Sequence, residues 1–232
     1  MGDKVKAWDV YTRIFHWLLV LSVAAAWLTA EFGDMEMIWH KRNGYLLFVL
    51  IMFRLFWGVL GSSTARFKHF IYSPHRAFVY FKAWYLGSPQ HYLGHNPLGG
   101  WMVVALLMLL VAQIGSGLFS SDGLFAYGPL SDLVSESVSA DLTAYHELGF
   151  NVLMGMVLFH VLAIVVYLLV RKENLVKSML TGEKPAEYYQ DEQGAQLRGV
   201  WRALVCLLLA IVCVAAIISG FDLSILSSVL VG

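Results

Sequence analysis

Hydrophobic residues in this chain gather into five long runs, near residues 14–30, 44–60, 101–119, 148–170 and 203–218. Several reach the roughly 20 residues that a helix needs to cross the hydrocarbon of a bilayer, and the rest do so once flanking aromatics are counted. The runs are continuous and rich in Leu, Ala and Met, without the alternation of membrane barrel strands. The pattern predicts an all-α integral membrane protein whose five helices form one bundle with no soluble domain. The first run follows Lys4, Lys6 and Arg13, as a signal peptide would. Because His16 sits inside it and no clean cleavage site follows, it is read as a retained helix.

The polar connections refine this picture. The longest, Gly61 to Gly100, holds Pro74, Pro89 and Pro97 among basic and aromatic residues. Around Pro74–Leu86 it reads equally as an amphipathic helix at a membrane surface or as a solvated basic loop. The Ser120–Asp141 connection is acidic and serine-rich, with a turn at Tyr127-Gly128-Pro129. Residues 182–199 are polar and expected to be a flexible link to the last helix.

Composition agrees with a membrane assignment: 59% of the 232 residues are hydrophobic and 14% charged, against about 45–50% and 25% in soluble domains. Net charge is +0, so the whole-chain balance suggests no nucleic-acid partner. Its distribution is more telling. Lys4, Lys6 and Arg13 precede helix 1; Arg66, Lys68, Arg76 and Lys82 follow helix 2; Arg171, Lys172, Lys177, Lys184, Arg198 and Arg202 follow helix 4. The two alternate connections, Glu31–Ile38 and Ser120–Asp141, hold acids and no Lys or Arg. The positive-inside rule then predicts a cytoplasmic N-terminus and a C-terminus that is periplasmic or otherwise outside. Cys206 and Cys213 lack the CxxCH arrangement of covalent haem attachment and read as small apolar side chains.

Against this apolar background the histidines stand out. Fourteen residues separate His146 from His160, about 3.9 turns and roughly 21 Å of helix, so both project from one face. With the predicted topology, His16 in helix 1 lies level with His160, and His40 at the start of helix 2 lies level with His146. An inner pair, His16 with His160, and an outer pair, His40 with His146, are what two haems b require for axial ligation from facing helices. Zinc would need four convergent ligands, and a proton relay would not need two level-matched pairs. Arg54 follows His40 by fourteen residues, on the same face at the inner level. An intramembrane arginine usually has an anionic partner, and a haem propionate suits its fork; snorkelling to the surface is the alternative. Arg42 reads equally as a partner of an outer propionate or as an interfacial residue. His69, His75, His91 and His95 lie in the inner connection and are not expected to be axial ligands. Gly44, Gly149 and Gly155 would let a porphyrin approach the backbone, although small residues also serve helix contacts.

RIFHW at 13–17, WHKRNGY at 39–45, FRLFWG at 53–58, YHE at 145–147 and FH at 159–160 resemble the bacterial cytochrome b561 and nickel–iron hydrogenase b-type cytochrome family. LGHNPLGGWMV at 93–103 is similar to a signature of free-standing members. The resemblance covers about residues 8–180 and implies a four-helix di-haem core passing electrons between the quinone pool and a redox partner. Residues 181–200 would then be an inner polar link, and 201–219 a fifth transmembrane helix outside that core. Within GHNPLGG, His95 could touch a quinone or a propionate, whereas Asn-Pro and Gly-Gly could simply form the turn into helix 3; the turn is slightly preferred.

Three functions stay open at this point. The leading one is transmembrane electron transfer through two b-type haems, between quinone and a partner such as a c-type cytochrome. The second is a quinone-dependent oxidoreductase acting directly on a small redox substrate such as superoxide. The third is a non-haem transporter using His and Arg along an ion path. Direction of electron flow, quinone site and oligomeric state are not legible in the sequence.

Overall fold

A computed structural model describes residues 3–87, 90–186 and 194–219. Among these, five helices are long and apolar enough to cross a membrane: α1 (Val10–Phe32), α2 (Ile38–Leu60), α5 (Pro97–Phe119), α6 (Glu136–Arg171) and α8 (Val200–Ile218). Shorter helices α3 (Phe67–Phe70), α4 (Pro74–Tyr85) and α7 (Leu175–Thr181) lie between them in sequence.

Local chemistry explains where these helices begin. Asp9 precedes α1, and its carboxylate accepts the Thr12 N–H (2.7 Å) and the Thr12 hydroxyl (2.8 Å), capping the first turn. The Ser73 hydroxyl caps α4, which has Pro74 at its first position. The Asn96 side chain accepts from Gly99 N–H (2.8 Å) just ahead of Pro97. Asn174 caps α7 by accepting from Lys177 N–H (2.8 Å), and Gly182, at φ 82°, ends it. Helix α6 starts twelve residues before its apolar run, because the polar stretch from Glu136 is itself helical.

Residues 182–199 depart from the flexible link expected for them. Strand β1 (Lys4–Lys6) pairs antiparallel with β2 (Glu183–Pro185), Lys4 opposite Pro185 and Lys6 opposite Glu183. Beyond the ribbon, Ala7 and Trp8 N–H both donate to the Gly182 carbonyl (2.8 and 3.1 Å). Further on, Ala195 N–H donates to Lys6 O (2.8 Å), and Ser63 N–H to Gln196 O (3.1 Å). Ser62 and Ser63 hydroxyls accept from Arg198 and Gln196 N–H. Hydrogen bonding to the N-terminal strand and to the turn after α2 thus orders most of this segment; residues 187–193 lie outside the described residues.

The Pro74–Leu86 region is a helix, in line with the first of its two readings. Ala77 and Tyr80 are buried on one face, while Phe78, Phe81 and Tyr85 form an exposed aromatic stripe. On α8, Ala203, Cys206, Ala210 and Val214 form a single buried face, so the Cys206 thiol packs as a small apolar group.

Two compact units divide the chain. Among the described residues, the first gathers 3–16, 54–87, 90–108, 155–186 and 194–204; the second gathers 17–53, 109–154 and 205–219. His16, His160, Arg54 and His95 therefore belong to the first, and His40, His146 and Arg42 to the second.

Candidate functional site

In the second unit His40 sits in the opening turn of α2, where its Nδ1 lies 3.0 Å from the Ala26 carbonyl. Nearby, the Asn43 amide donates to Ser22 O (2.8 Å) and ties α2 to α1. His146 of α6 has Nδ1 2.9 Å from the Gln113 carbonyl and 3.3 Å from the Ser116 hydroxyl. The Gln113 amide returns a hydrogen bond to the His146 carbonyl (2.8 Å). A carbonyl can only accept, so each Nδ1 facing one must carry the proton. Each imidazole then presents the lone pair of its Nε2, the form a metal binds.

The two rings face one another with centroids 6.0 Å apart and planes at 87°. Two metal–imidazole bonds of about 2.0–2.1 Å, plus the distance from each nitrogen to its ring centre, require a separation of about 6 Å. An iron between these rings fits that spacing. A Cβ built on Gly44 or on Gly115 would meet nothing within 4 Å, whereas at Gly149, expected to leave room for a porphyrin, one would lie 2.5 Å from Oε1 of Gln113. Gly117 is crowded too: a Cβ there would lie 2.8 Å from Cε1 of His146. Arg42 is exposed, its guanidinium 5.0 Å above the ring of the exposed Trp39.

In the first unit His16 of α1 and His160 of α6 are both half-buried and lie within electrostatic reach of one another. Arg54 of α2 is only 3% exposed, so it does not snorkel. Its guanidinium lies 4.8 Å from the centre of the Phe67 ring and 5.7 Å from that of Phe70. Nη1 is sealed from solvent and has no hydrogen-bond partner among the described residues. A buried polar group left unpaired costs about 1–3 kcal/mol, and more when charged, so this nitrogen calls for an anionic ligand. Asp9 is within electrostatic range, but its carboxylate is engaged by Thr12 and, at 3.4 Å, by the Trp57 indole N–H.

The turn into α5 is made as expected by the Asn-Pro and Gly-Gly residues, Gly99 N–H donating to Asn96 Oδ1, and His95 takes no part in that bond. The imidazole is packed between Trp8 and Phe70, 4.7 Å from each ring centre. Part of the residue is exposed, yet Nδ1 is sealed and lacks a partner among the described residues. Burial first, then the charges of Arg54 and Lys184, lower its pKa to about 3, so the ring is neutral at physiological pH. His69, His75 and His91 are exposed. Among the described residues no three His, Cys, Asp or Glu side chains converge on a metal site.

Sequence reasoning missed Asp9, Gln113 and Ser116. Asp9 carried a helix-start signal, an acid just before an apolar run. Gln113 and Ser116 were polar residues inside the third run, and such residues are costly unless they have a partner.

The chain matches the protein family described as prokaryotic cytochrome b561 over residues 7–182. It is similar to the probable Ni/Fe-hydrogenase B-type cytochrome subunit of Rhizobium leguminosarum bv. viciae, at 25% identity over 78% of this chain and 89% of that protein. The protein of the same description from Azotobacter vinelandii is 26% identical, over 77% and 87%. The probable Ni/Fe-hydrogenase 1 B-type cytochrome subunit of Escherichia coli (strain K12) is 22% identical, over 76% and 88%.

Proposed function

The chain belongs to the prokaryotic cytochrome b561 family and is a multi-pass membrane protein of electron transfer that uses haem b, and from that premise we propose that it carries two haems. One is held by His40 and His146, the other by His16 and His160. The observation that carries this reading is the facing of His40 and His146, at the spacing of a shared iron with both Nδ1 groups turned to oxygen acceptors. For the other pair, support comes from their common unit and from the sealed Arg54 cation, which fits a propionate. Arg42, stacked on exposed Trp39, takes an interfacial role.

The haems supply one-electron redox change at iron. The chain's residues ligate, space and tune it. Carbonyls of Ala26 and Gln113 fix the tautomers of His40 and His146 and make them stronger ligands. Arg54 offsets carboxylate charge and thereby favours the reduced state. With the N-terminus cytoplasmic, the His16–His160 haem lies at the inner level and the His40–His146 haem at the outer level of the inner membrane. Electrons pass between the quinone pool and a redox partner; a c-type cytochrome suits the outer level, and the relatives' names place them with hydrogenases.

Ligand substitution tests the pairing. His16→Ala and His160→Ala should disturb one component of the reduced-minus-oxidised spectrum, and His40→Ala and His146→Ala the other. Double substitution within a pair should abolish one component and spare its neighbour. A shared component for His16 and His40 would refute the pairing.

A further inference from the structure

Two sealed nitrogens in the first unit lie beside the same aromatic ring, on groups within electrostatic reach of one another. The Arg54 guanidinium is centred 5.7 Å from the middle of Phe70, and the His95 imidazole is centred 4.7 Å from it. Nη1 of Arg54 and Nδ1 of His95 are both buried without a hydrogen-bond partner among the described residues. Native interiors rarely leave such atoms unsatisfied unless a ligand takes them. Neighbouring polar groups are already engaged. The Asp9 carboxylate accepts from Thr12 and Trp57, while Lys184 donates to the Tyr92 carbonyl and pairs with Glu173 at 3.0 Å. Trp8 and Phe70 hold the imidazole between them, so the ring is positioned rather than loose.

We propose that His95 and Arg54 grip one carboxylate between them, a propionate of the haem held by His16 and His160. The assignment rests on the two-haem reading above. A carboxylate has lone pairs enough to accept from both groups at once, and it brings the negative charge that a buried guanidinium requires. A quinone carbonyl is the rival acceptor oxygen, but it is neutral, and the one carboxylate in electrostatic range, Asp9, makes its hydrogen bonds to Thr12 and Trp57 and leaves Nη1 of Arg54 unpaired. The neutral imidazole holds a single N–H, and its partner decides which nitrogen carries it. Each donation draws negative charge away from the iron and stabilises the reduced state. His95 is therefore a positioning residue that tunes one haem without ligating it.

The test is an optical redox titration of the purified, haem-loaded full chain, with resonance Raman of the propionate bending band beside it. His95→Leu keeps bulk and removes the donor; His95→Gln keeps a donor. His95→Leu should make reduction of the His16–His160 component about tenfold less favourable, a fall of about 59 mV for one electron. The other component should stay in place, the propionate band should shift, and His95→Gln should recover most of both effects. Arg54→Leu should lower the same component, and the double variant should fall short of the summed shifts, because both residues serve one group. An unmoved midpoint and band in His95→Leu would overturn the proposal, as would equal shifts in both components. So would unchanged haem properties with a raised KM for quinol, which would place the acceptor on the quinone. Should His95→Leu lose haem, His95→Phe, which keeps a ring between Trp8 and Phe70 and lacks the donor, takes its place in the Raman comparison: a shifted propionate band supports the contact, and an identical band removes it. Failure of the underlying reading shows separately, in the spectra of the His16 and His160 variants.

Discussion

Gly117 of α5 has no room for a methyl group, since a Cβ would lie 2.8 Å from Cε1 and 3.0 Å from Nδ1 of His146. Gly117→Ala must therefore push the imidazole off the Gln113 carbonyl or displace α5. The spectral component of His40 and His146 should weaken or shift, with that of His16 and His160 retained; unaltered spectra would show that His146 is not held where a ligand needs to be. Helical rise and loop charge put His40 level with His146, and the structure brings those two rings to 6.0 Å between centroids. Their supports were not legible. That Gln113 and Ser116 meet His146 depends on how α5 is turned toward α6, which no periodicity in a uniformly apolar run encodes. For Arg54 the sequence left snorkelling and propionate pairing open; its burial decides against snorkelling. Around His95 the turn was legible, since Asn96 accepts from Gly99 and Gly100 N–H as Asn-Pro and Gly-Gly suggested; the packing of the imidazole against Trp8 and Phe70 was not.

Among the elements, the five apolar runs mark the middles of five helices but not their ends. Caps such as Asp9 and the helical polar stretch from Glu136 extend α1 and α6 beyond what hydropathy detects. The β1–β2 ribbon had no local signal at all: KVK and EKP are three residues each, and Pro in a strand argues against one. Their pairing is fixed by tertiary partners, the Gly182 carbonyl foremost. Gly182 has φ +82°, and a Cβ there would sit 2.7 Å from the Trp8 carbonyl. A non-glycine residue in the left-handed region costs about 1–2 kcal/mol before any clash. Gly182→Ala should accordingly lower the Tm of the haem-loaded protein and speed proteolysis near β2. An unchanged Tm with unchanged cleavage would mean that the ribbon adds nothing to stability.

For the whole molecule, loop charge makes a directional prediction that helix geometry does not. Five helices are long and apolar enough to cross a membrane, and the clustering of Lys and Arg before α1, after α2 and after α6 predicts that those three stretches face the cytoplasm. A reporter at Lys177 should be active on the cytoplasmic side and one following Ile218 on the periplasmic side. Reversed labelling would exchange the inner and outer haems of the proposal. The division into two compact units was not legible, because each is assembled from three separated stretches and cuts through helices that hydropathy treats as single objects. Only the placement of one histidine pair in each unit echoes the level matching deduced from spacing.

The ribbon between Lys4–Lys6 and Glu183–Pro185 also dictates an order of events during synthesis. Lys6 leaves the ribosome 177 residues ahead of its partner Glu183. At roughly 5–20 residues per second the first strand waits about ten to thirty-five seconds for the second. Throughout that interval four of the five long helices are made, while the backbone of residues 4–8 keeps its donors and acceptors unclaimed. Residues 4–8 are thus made long before they can find their place, and nascent chains stalled before residue 182 should leave them open to protease, while chains extended beyond Pro185 protect them.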